Sequence, residues 1–156
     1  MKSLLLKITL STLLVLFNSC SSSDDTDIIT SEERLMESEI LLLLNEHRVS
    51  IGLNKLIELD IIKSQTKEHT NYMIAKDEIS HDNFNDRSNY LKAKINLIGI
   101  GENVAKGNNS ANSVVNGWLN SQGHKENIEG DYTHFNITAK KNKSNTWYYT
   151  NIFIKK

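Results

Sequence analysis

Two imidazoles and one carboxylate in this chain stand where acid–base or ligand chemistry could be placed. His124 follows Gly123 in VVNGWLNSQGHKENI, residues 114–128. Val114, Val115, Trp118 and Leu119 fall at i, i+1, i+4 and i+5, which is one face of a helix. Gly123 tolerates positive φ and is the expected stop of that helix, so a group that titrates near neutral pH emerges at a turn. His81 lies in Ile79-Ser80-His81-Asp82, a stretch that breaks helical spacing and reads as a loop. Glu102 is an acid inside the apolar run LIGIGENVA, residues 97–105. If buried it needs a partner, because an unpaired buried charge is costly; the alternative is that it faces the surface.

Nucleophilic chemistry has less to build on. Ser121 stands three residues before His124, but no acid is in view to orient that imidazole. Ser80 adjoins His81, a spacing at which two side chains seldom face each other. No His-Glu-x-x-His helix occurs. His69 belongs to a helical stripe with Leu59, Ile62, Thr66 and Met73, so a hydrogen-bonded core histidine is expected there.

The elements that must position these groups follow from periodicity. Residues 33–50 form a helix with Leu35, Ile40, Leu41, Leu43 and Leu44 as its apolar stripe and Ser31, Glu32 and Glu33 suited to its start. Gly52 ends it, and residues 53–56 make a short link. Residues 60–76 form a second helix and residues 84–95 a weaker one, with Phe84, Tyr90, Leu91 and Ile95 apolar. Residues 97–105 are branched and carry two glycines, like a short strand entering a tight bend. A helix follows over residues 111–122. Residues 132–139 alternate, with Phe135, Ile137 and Ala139 opposite Tyr132, His134, Asn136 and Thr138. Residues 146–154, TWYYTNIFI, make a second strand, and the polar residues 140–145 close a hairpin between them. Helices first and an antiparallel hairpin last suggest an α+β domain.

The chain begins with targeting information. Lys2 and Lys7 precede or flank an apolar run over residues 8–17 that is shorter than the roughly 20 residues a bilayer span needs, so residues 1–19 read as a signal peptide. The run ends in Leu16-Phe17-Asn18-Ser19-Cys20, which resembles the lipobox of bacterial lipoproteins. That resemblance implies cleavage before Cys20 and lipidation of its thiol; the alternative is an ordinary secretory signal with an incidental cysteine. Residues 20–31 then form a flexible acidic tether. Asp24, Asp25 and Asp27 close behind Cys20 resemble the surface-export signal of some Gram-negative lipoproteins. The expected location is therefore the bacterial cell envelope, with membrane attachment through Cys20 at the outer membrane and exposure at the surface.

Composition narrows the partners. Loss of residues 1–19 removes two lysines and no acid, moving the net charge from −1 to −3. Such mild acidity gives no reason to expect nucleic acid. About 125 residues, 32–156, remain for one domain with its own core. The single cysteine, once acylated, leaves none for a disulfide, so packing must hold the fold. The chain has no proline, and asparagine and glycine supply the turns.

Several segments in order resemble the bacterial CAP superfamily, which groups cysteine-rich secretory proteins, antigen 5 and pathogenesis-related 1 proteins. They are Asn45, Arg48, Gly52, Leu53 and Leu56; Ser80-His81; Gly101-Glu102-Asn103-Val104-Ala105; Trp118, Ser121 and Gly123-His124; Lys125-Glu126-Asn127-Ile128; and residues 147–153. The resemblance implies an α–β–α sandwich, a small central antiparallel sheet flanked by helices. It also implies a cleft lined by His81, Glu102 and His124, with Ser121 where many eukaryotic members have a second acid. Gln122 replaces a proline common in bacterial relatives, and Phe135-Asn136-Ile137-Thr138 replaces a glycine-containing strand.

Two imidazoles and a carboxylate are an adequate ligand set for zinc with a position left for water, so the resemblance makes His81, His124 and Glu102 candidate zinc ligands. Three functions follow as expectations: a non-enzymatic envelope module binding an envelope or extracellular ligand through the cleft; a zinc-dependent hydrolase of peptide or cell-wall material; or a lipid-binding carrier. The missing second acid and the lack of a nucleophile favour the first.

Overall fold

The computed structural model describes residues 29–156. The signal peptide, Cys20 and nearly all of the tether lie outside the described residues.

Helix α1 (Ser31–Ser50) begins one turn earlier than its apolar pattern alone requires, because Thr30 caps it. The Thr30 hydroxyl accepts from the Glu33 N–H at 3.1 Å and the Glu33 carboxylate accepts from the Thr30 N–H at 2.8 Å, a reciprocal capping box. Its buried face is Met36, Ile40, Leu41 and Leu44, whereas Leu35 is 67% exposed. Leu35 was expected in the stripe; it lies one residue, and so 100° of helix rotation, before the Met36-Ile40-Leu44 row. At the other end Gly52 takes φ +82°. The Gly52 N–H then reaches Val49 O and the Leu53 N–H reaches Arg48 O, the bond pattern of a Schellman stop.

The link after α1 contains a two-residue strand, β1 (Ile57–Glu58). Helices α2 (Asp60–Lys76) and α3 (Phe84–Lys94) follow, then strand β2 (Gly99–Lys106). Helices α4 (Ala111–Leu119) and α5 (Gln122–Ile128) precede the hairpin β3 (His134–Lys141) and β4 (Trp147–Lys155). The sheet order is β1-β3-β4-β2. β4 runs antiparallel to both β2 and β3, but β1 adds to β3 in parallel. The sheet is thus mixed where an antiparallel one was expected. Its antiparallel core comes from local alternation, whereas β1 is placed by Asn45, whose side chain bonds both the N–H and the C=O of Leu56 at 2.8 and 3.0 Å.

Alternation along β4 divides the core. Trp147, Tyr149 and Phe153 join Ile40, Leu44, Val115 and Trp118 on the α1/α4 side. Tyr148 packs with Met73 and Val104, and Ile152 and Ile154 pack with Ile62 and Leu91, on the α2/α3 side. Helices cover both faces of the sheet, and the fold is an α–β–α sandwich.

The helix expected over residues 111–122 divides. α4 closes at Leu119, Asn120 caps it, and Ser121 is extended (φ −111°, ψ 118°) at the start of α5. Gly123, expected as the stop, is instead the second residue of α5, and it is not among the positive-φ residues. The Trp118 indole N–H, bonded to Val104 O at 3.0 Å, anchors α4 against β2.

Candidate functional site

Glu102 sits mid-way along β2 with its side chain on the α2/α3 side of the sheet, 2% exposed. Burial pushes its carboxyl up, but hydrogen bonds from His81 and Arg87 outweigh this and hold it below the usual carboxylate value. Arg87 of α3 supplies a bidentate pair, Nε to Oε2 and Nη2 to Oε1, both at 2.8 Å. The His81 Nδ1–H donates to the same Oε1 at 2.8 Å. Of the two readings the sequence allowed, Glu102 is the buried acid with partners.

Arg87 does more than neutralise that acid. Its Nη1 donates to Asp82 O at 2.7 Å and to His69 Nδ1 at 2.9 Å. Because a guanidinium can only donate, His69 Nδ1 must be the acceptor and the proton must ride on Nε2. That Nε2–H donates to Ser80 O at 2.7 Å. Ser80 and Asp82 flank His81, so both neighbouring carbonyls and the His81 ring are all held by one buried unit. Burial is the main cause that lowers the His69 pKa, consistent with a neutral ring in this arrangement. His69 is the hydrogen-bonded core histidine expected from its stripe, and it also positions the His81 loop.

His124 is carried by α5, which packs against β2. Its Nδ1 and Ser121 Oγ are 2.9 Å apart. Burial, and secondarily the charge of His81, lower its pKa. Two amides join α5 to β2. Asn103 donates to His124 O at 3.0 Å, and Asn127 donates to Asn103 Oδ1 at 2.9 Å and to Glu102 O at 3.1 Å. This close approach requires Gly101, where a Cβ would lie 2.5 Å from Asn127 Oδ1 and 2.6 Å from the Tyr132 hydroxyl oxygen. The far end of α5 is held by Arg48, which donates to Ile128 O at 2.7 Å and Gly130 O at 2.8 Å.

A cleft of about 300 Å³ lies over the β2 edge, lined by His81, Phe84, Ile100, Gly101, Glu102 and Asn127. The four sequence candidates thus form two hydrogen-bonded pairs, His81–Glu102 and Ser121–His124. Ser121 and His124 do not line this cavity. Among the described residues no three His, Cys, Asp or Glu side chains converge as a metal-ligand set. Glu102 fits a ligand role poorly, since both its oxygens are already engaged. The imidazoles fit better: each has Nδ1 committed and Nε2 uncommitted, and His81 has a carboxylate behind it, the usual outer partner of a metal-binding histidine.

Arg87 is the principal residue that sequence reasoning missed. A signal existed: Phe84, Arg87 and Leu91 share the inward face of a helix that is otherwise polar, and a cation on an apolar face needs an anion. Asn103 and Asn127 were noted as parts of motifs, without a role.

The model of the cysteine-rich secretory protein family, CAP, matches residues 41–153. The chain belongs to the CAP family. An uncharacterized membrane protein of Bacillus subtilis (strain 168) is 31% identical over 127 residues, covering 77% of this chain and 34% of that protein. A second uncharacterized protein of the same strain is 29% identical over 65% of the chain and 41% of its own length. The chain therefore spans between a third and a half of the length of these two relatives. Among solved structures, an outer surface protein of Borrelia burgdorferi superposes with a TM-score of 0.71 at 26% identity, covering 83% of this chain and 96% of that one. An extracellular protein with an SCP domain from Bacillus anthracis gives 0.70 at 24% identity, over 83% of this chain and 45% of that one. The CAP fold of this chain is thus shared with proteins named for outer-surface and extracellular locations.

Proposed function

We propose that this CAP protein is a lipid-anchored module of the bacterial cell envelope that binds a ligand through the His81 cleft and the neighbouring His124 without turning it over. In this reading zinc is held by the His81 and His124 imidazoles, with Glu102 orienting His81 rather than ligating. Bound there, zinc would supply a Lewis-acidic centre for a ligand oxygen or nitrogen. Engagement of both Glu102 oxygens by Arg87 and His81 carries the proposal, because an acid so engaged is a poor general base. Among the described residues the Ser121–His124 pair has no orienting acid as a partner, which also weighs against a hydrolase. Lipidation at Cys20 would tether the domain through the acidic segment that follows.

Zinc titration by calorimetry into the purified protein tests the metal. Wild type should bind one zinc, and His81→Ala and His124→Ala should each weaken binding by about tenfold or more, roughly the loss of one ligand's worth of affinity. Equal, weak binding by all three would end the zinc assignment. Incubating the zinc-loaded protein with peptidoglycan and peptide substrates should yield no product. Turnover abolished by His81→Ala would establish the hydrolase instead. Cys20→Ser should release the protein from the membrane fraction, and its retention there would rule out the lipid anchor.

A further inference from the structure

Strand β2 lies at one edge of the sheet, with β4 as its only strand neighbour among the described residues. In an antiparallel pair the backbone groups of alternate residues turn toward the neighbour, and those of the others turn away. Two bonds at the ends of β2 fix which is which. The Gly107 N–H donates to Trp147 O at 2.9 Å and the Ile98 N–H to Lys155 O at 2.8 Å. Trp147, Lys155 and every second residue between them therefore face β2, and the partners of Tyr149, Asn151, Phe153 and Lys155 are Ala105, Asn103, Gly101 and Gly99. The backbone groups of Ile100, Glu102 and Val104 must then point out of the sheet. The side-chain bonds agree, since Glu102 O accepts from Asn127 and Val104 O from the Trp118 indole.

Helices α4 and α5 thus cover two of the outward carbonyls, but nothing covers the first outward residue. Neither the N–H nor the C=O of Ile100, nor the Glu102 N–H, has a partner among the described residues. Both residues line the cleft of about 300 Å³, with His81, Phe84 and Asn127. The usual protections of a sheet edge are missing here. No lysine or proline stands in Ile98-Gly99-Ile100-Gly101, and glycines on both sides of Ile100 leave the main chain bare. The one carboxylate in the wall, Glu102, is paired with Arg87 and His81, so no unpaired charge awaits an organic ion. The Asn127 Nδ2 is spent on Glu102 O and Asn103 Oδ1, which leaves its Oδ1 as a further acceptor. Neutral donors and acceptors along an extended backbone are the complement of another extended main chain.

Resting on the assignment of the His81 cleft as the ligand site, we propose that its ligand is a peptide segment in extended conformation, added to the open edge of β2. Its C=O groups accept from the Ile100 and Glu102 N–H groups, and its N–H donates to Ile100 O. Main-chain bonds give such a site affinity for many sequences. Phe84 and the uncommitted His81 Nε2 are the wall groups left to select among side chains.

NMR titration of the zinc-free ¹⁵N-labelled protein tests this, with acetylated and amidated tetrapeptides of mixed sequence as probes, pooled by the identity of the second residue. At least one pool should give saturable shifts and slowed hydrogen exchange at the Ile100 and Glu102 amides. The Gly101 and Asn103 amides, already turned toward β4, should keep their exchange rates. A single peptide from that pool, N-methylated at its two central residues, should bind about tenfold more weakly or worse, as expected on losing main-chain bonds. Ile100→Pro removes one outward N–H at an edge position that tolerates proline and should weaken binding similarly, whereas Ile100→Ala should not. The N-methyl comparison uses the unaltered protein and decides the matter whether or not the proline variant folds. No shift at Ile100 and Glu102 with any pool, or equal affinity of the N-methylated peptide, would overturn the proposal. So would protection of those amides that grows with protein concentration before peptide is added, which assigns the edge to a second copy of the chain. Absent peptide binding beside intact zinc binding at His81 and His124 removes the peptide and leaves the zinc reading; the reverse result removes the zinc and leaves the peptide.

Discussion

The two walls that carry the histidines hold the same kind of side chain by opposite means. On the α2/α3 wall, His81 is fixed by charge: a carboxylate 2% exposed, a guanidinium 6% exposed and a neutral imidazole behind them. On the α5 wall, His124 is fixed by neutral groups, namely the Ser121 hydroxyl and the Asn103 and Asn127 amides. A buried ion pair is strong to break but sensitive to any loss of one partner. An amide network gives less per bond, and its precision depends on how closely backbones can approach. The charged wall should therefore fail abruptly and the amide wall gradually.

The largest effect is expected at Arg87. Arg87→Met leaves Glu102 buried beside His81 alone and removes the donor to His69 Nδ1. The loss should be about 3–5 kcal/mol in chemical denaturation, the usual result of orphaning one partner of a buried pair. Pairing it with Glu102→Gln should recover much of that loss. If Arg87→Met costs no more than a surface substitution, the charged wall does not hold as described.

A smaller effect is expected at Gly101, on the other wall. Gly101→Ala would push against Asn127 Oδ1 and the Tyr132 hydroxyl, and overpacking of this kind costs about 1–3 kcal/mol. The damage should appear in backbone shifts of α5 and in the His124 ring resonances more than at His81. An unchanged α5 spectrum would break the contrast between the walls.

The smallest effect is in pH. Burial lowers the pKa of His69 and of His124, so the folded protein excludes protons that the unfolded chain binds. Their contribution to stability is complete above the unfolded histidine value of about 6.5 and falls as pH drops from there toward the folded values. Glu102, also lowered in the folded state, contributes above its ordinary value of 4.5 and loses that contribution as pH falls through its folded value. Glu37, raised chiefly by burial, runs in the opposite direction. Denaturation midpoints should decline on acidification in two phases. His124→Gln should shrink the upper one, and Glu102→Gln should remove most of the lower. A single phase unaffected by Glu102→Gln would show that the charged wall does not govern the acid limb.

Much of this was legible in the chain. The stripe over residues 60–76, the alternation at Phe135, Ile137 and Ala139, and the aromatic run of β4 reflect side-chain periods set by backbone geometry. They need no knowledge of the partner element. The Gly52 stop was likewise a local matter of positive φ. Gly123 misled because glycine after an apolar helix is also consistent with a helix beginning again, as α5 does at Gln122.

His81, Glu102 and His124 could be named from the sequence as residues able to do chemistry, and the order of motifs grouped them. What each one touches was decided only by tertiary structure. Glu102 and Arg87 are 15 residues apart, and nothing local says that α3 will lay its one inward cation against the acid of β2. That meeting depends on the sheet burying Glu102 and on α2 and α3 covering the same face. It makes Glu102 the support of His81, with both carboxylate oxygens engaged by a fixed guanidinium and an imidazole.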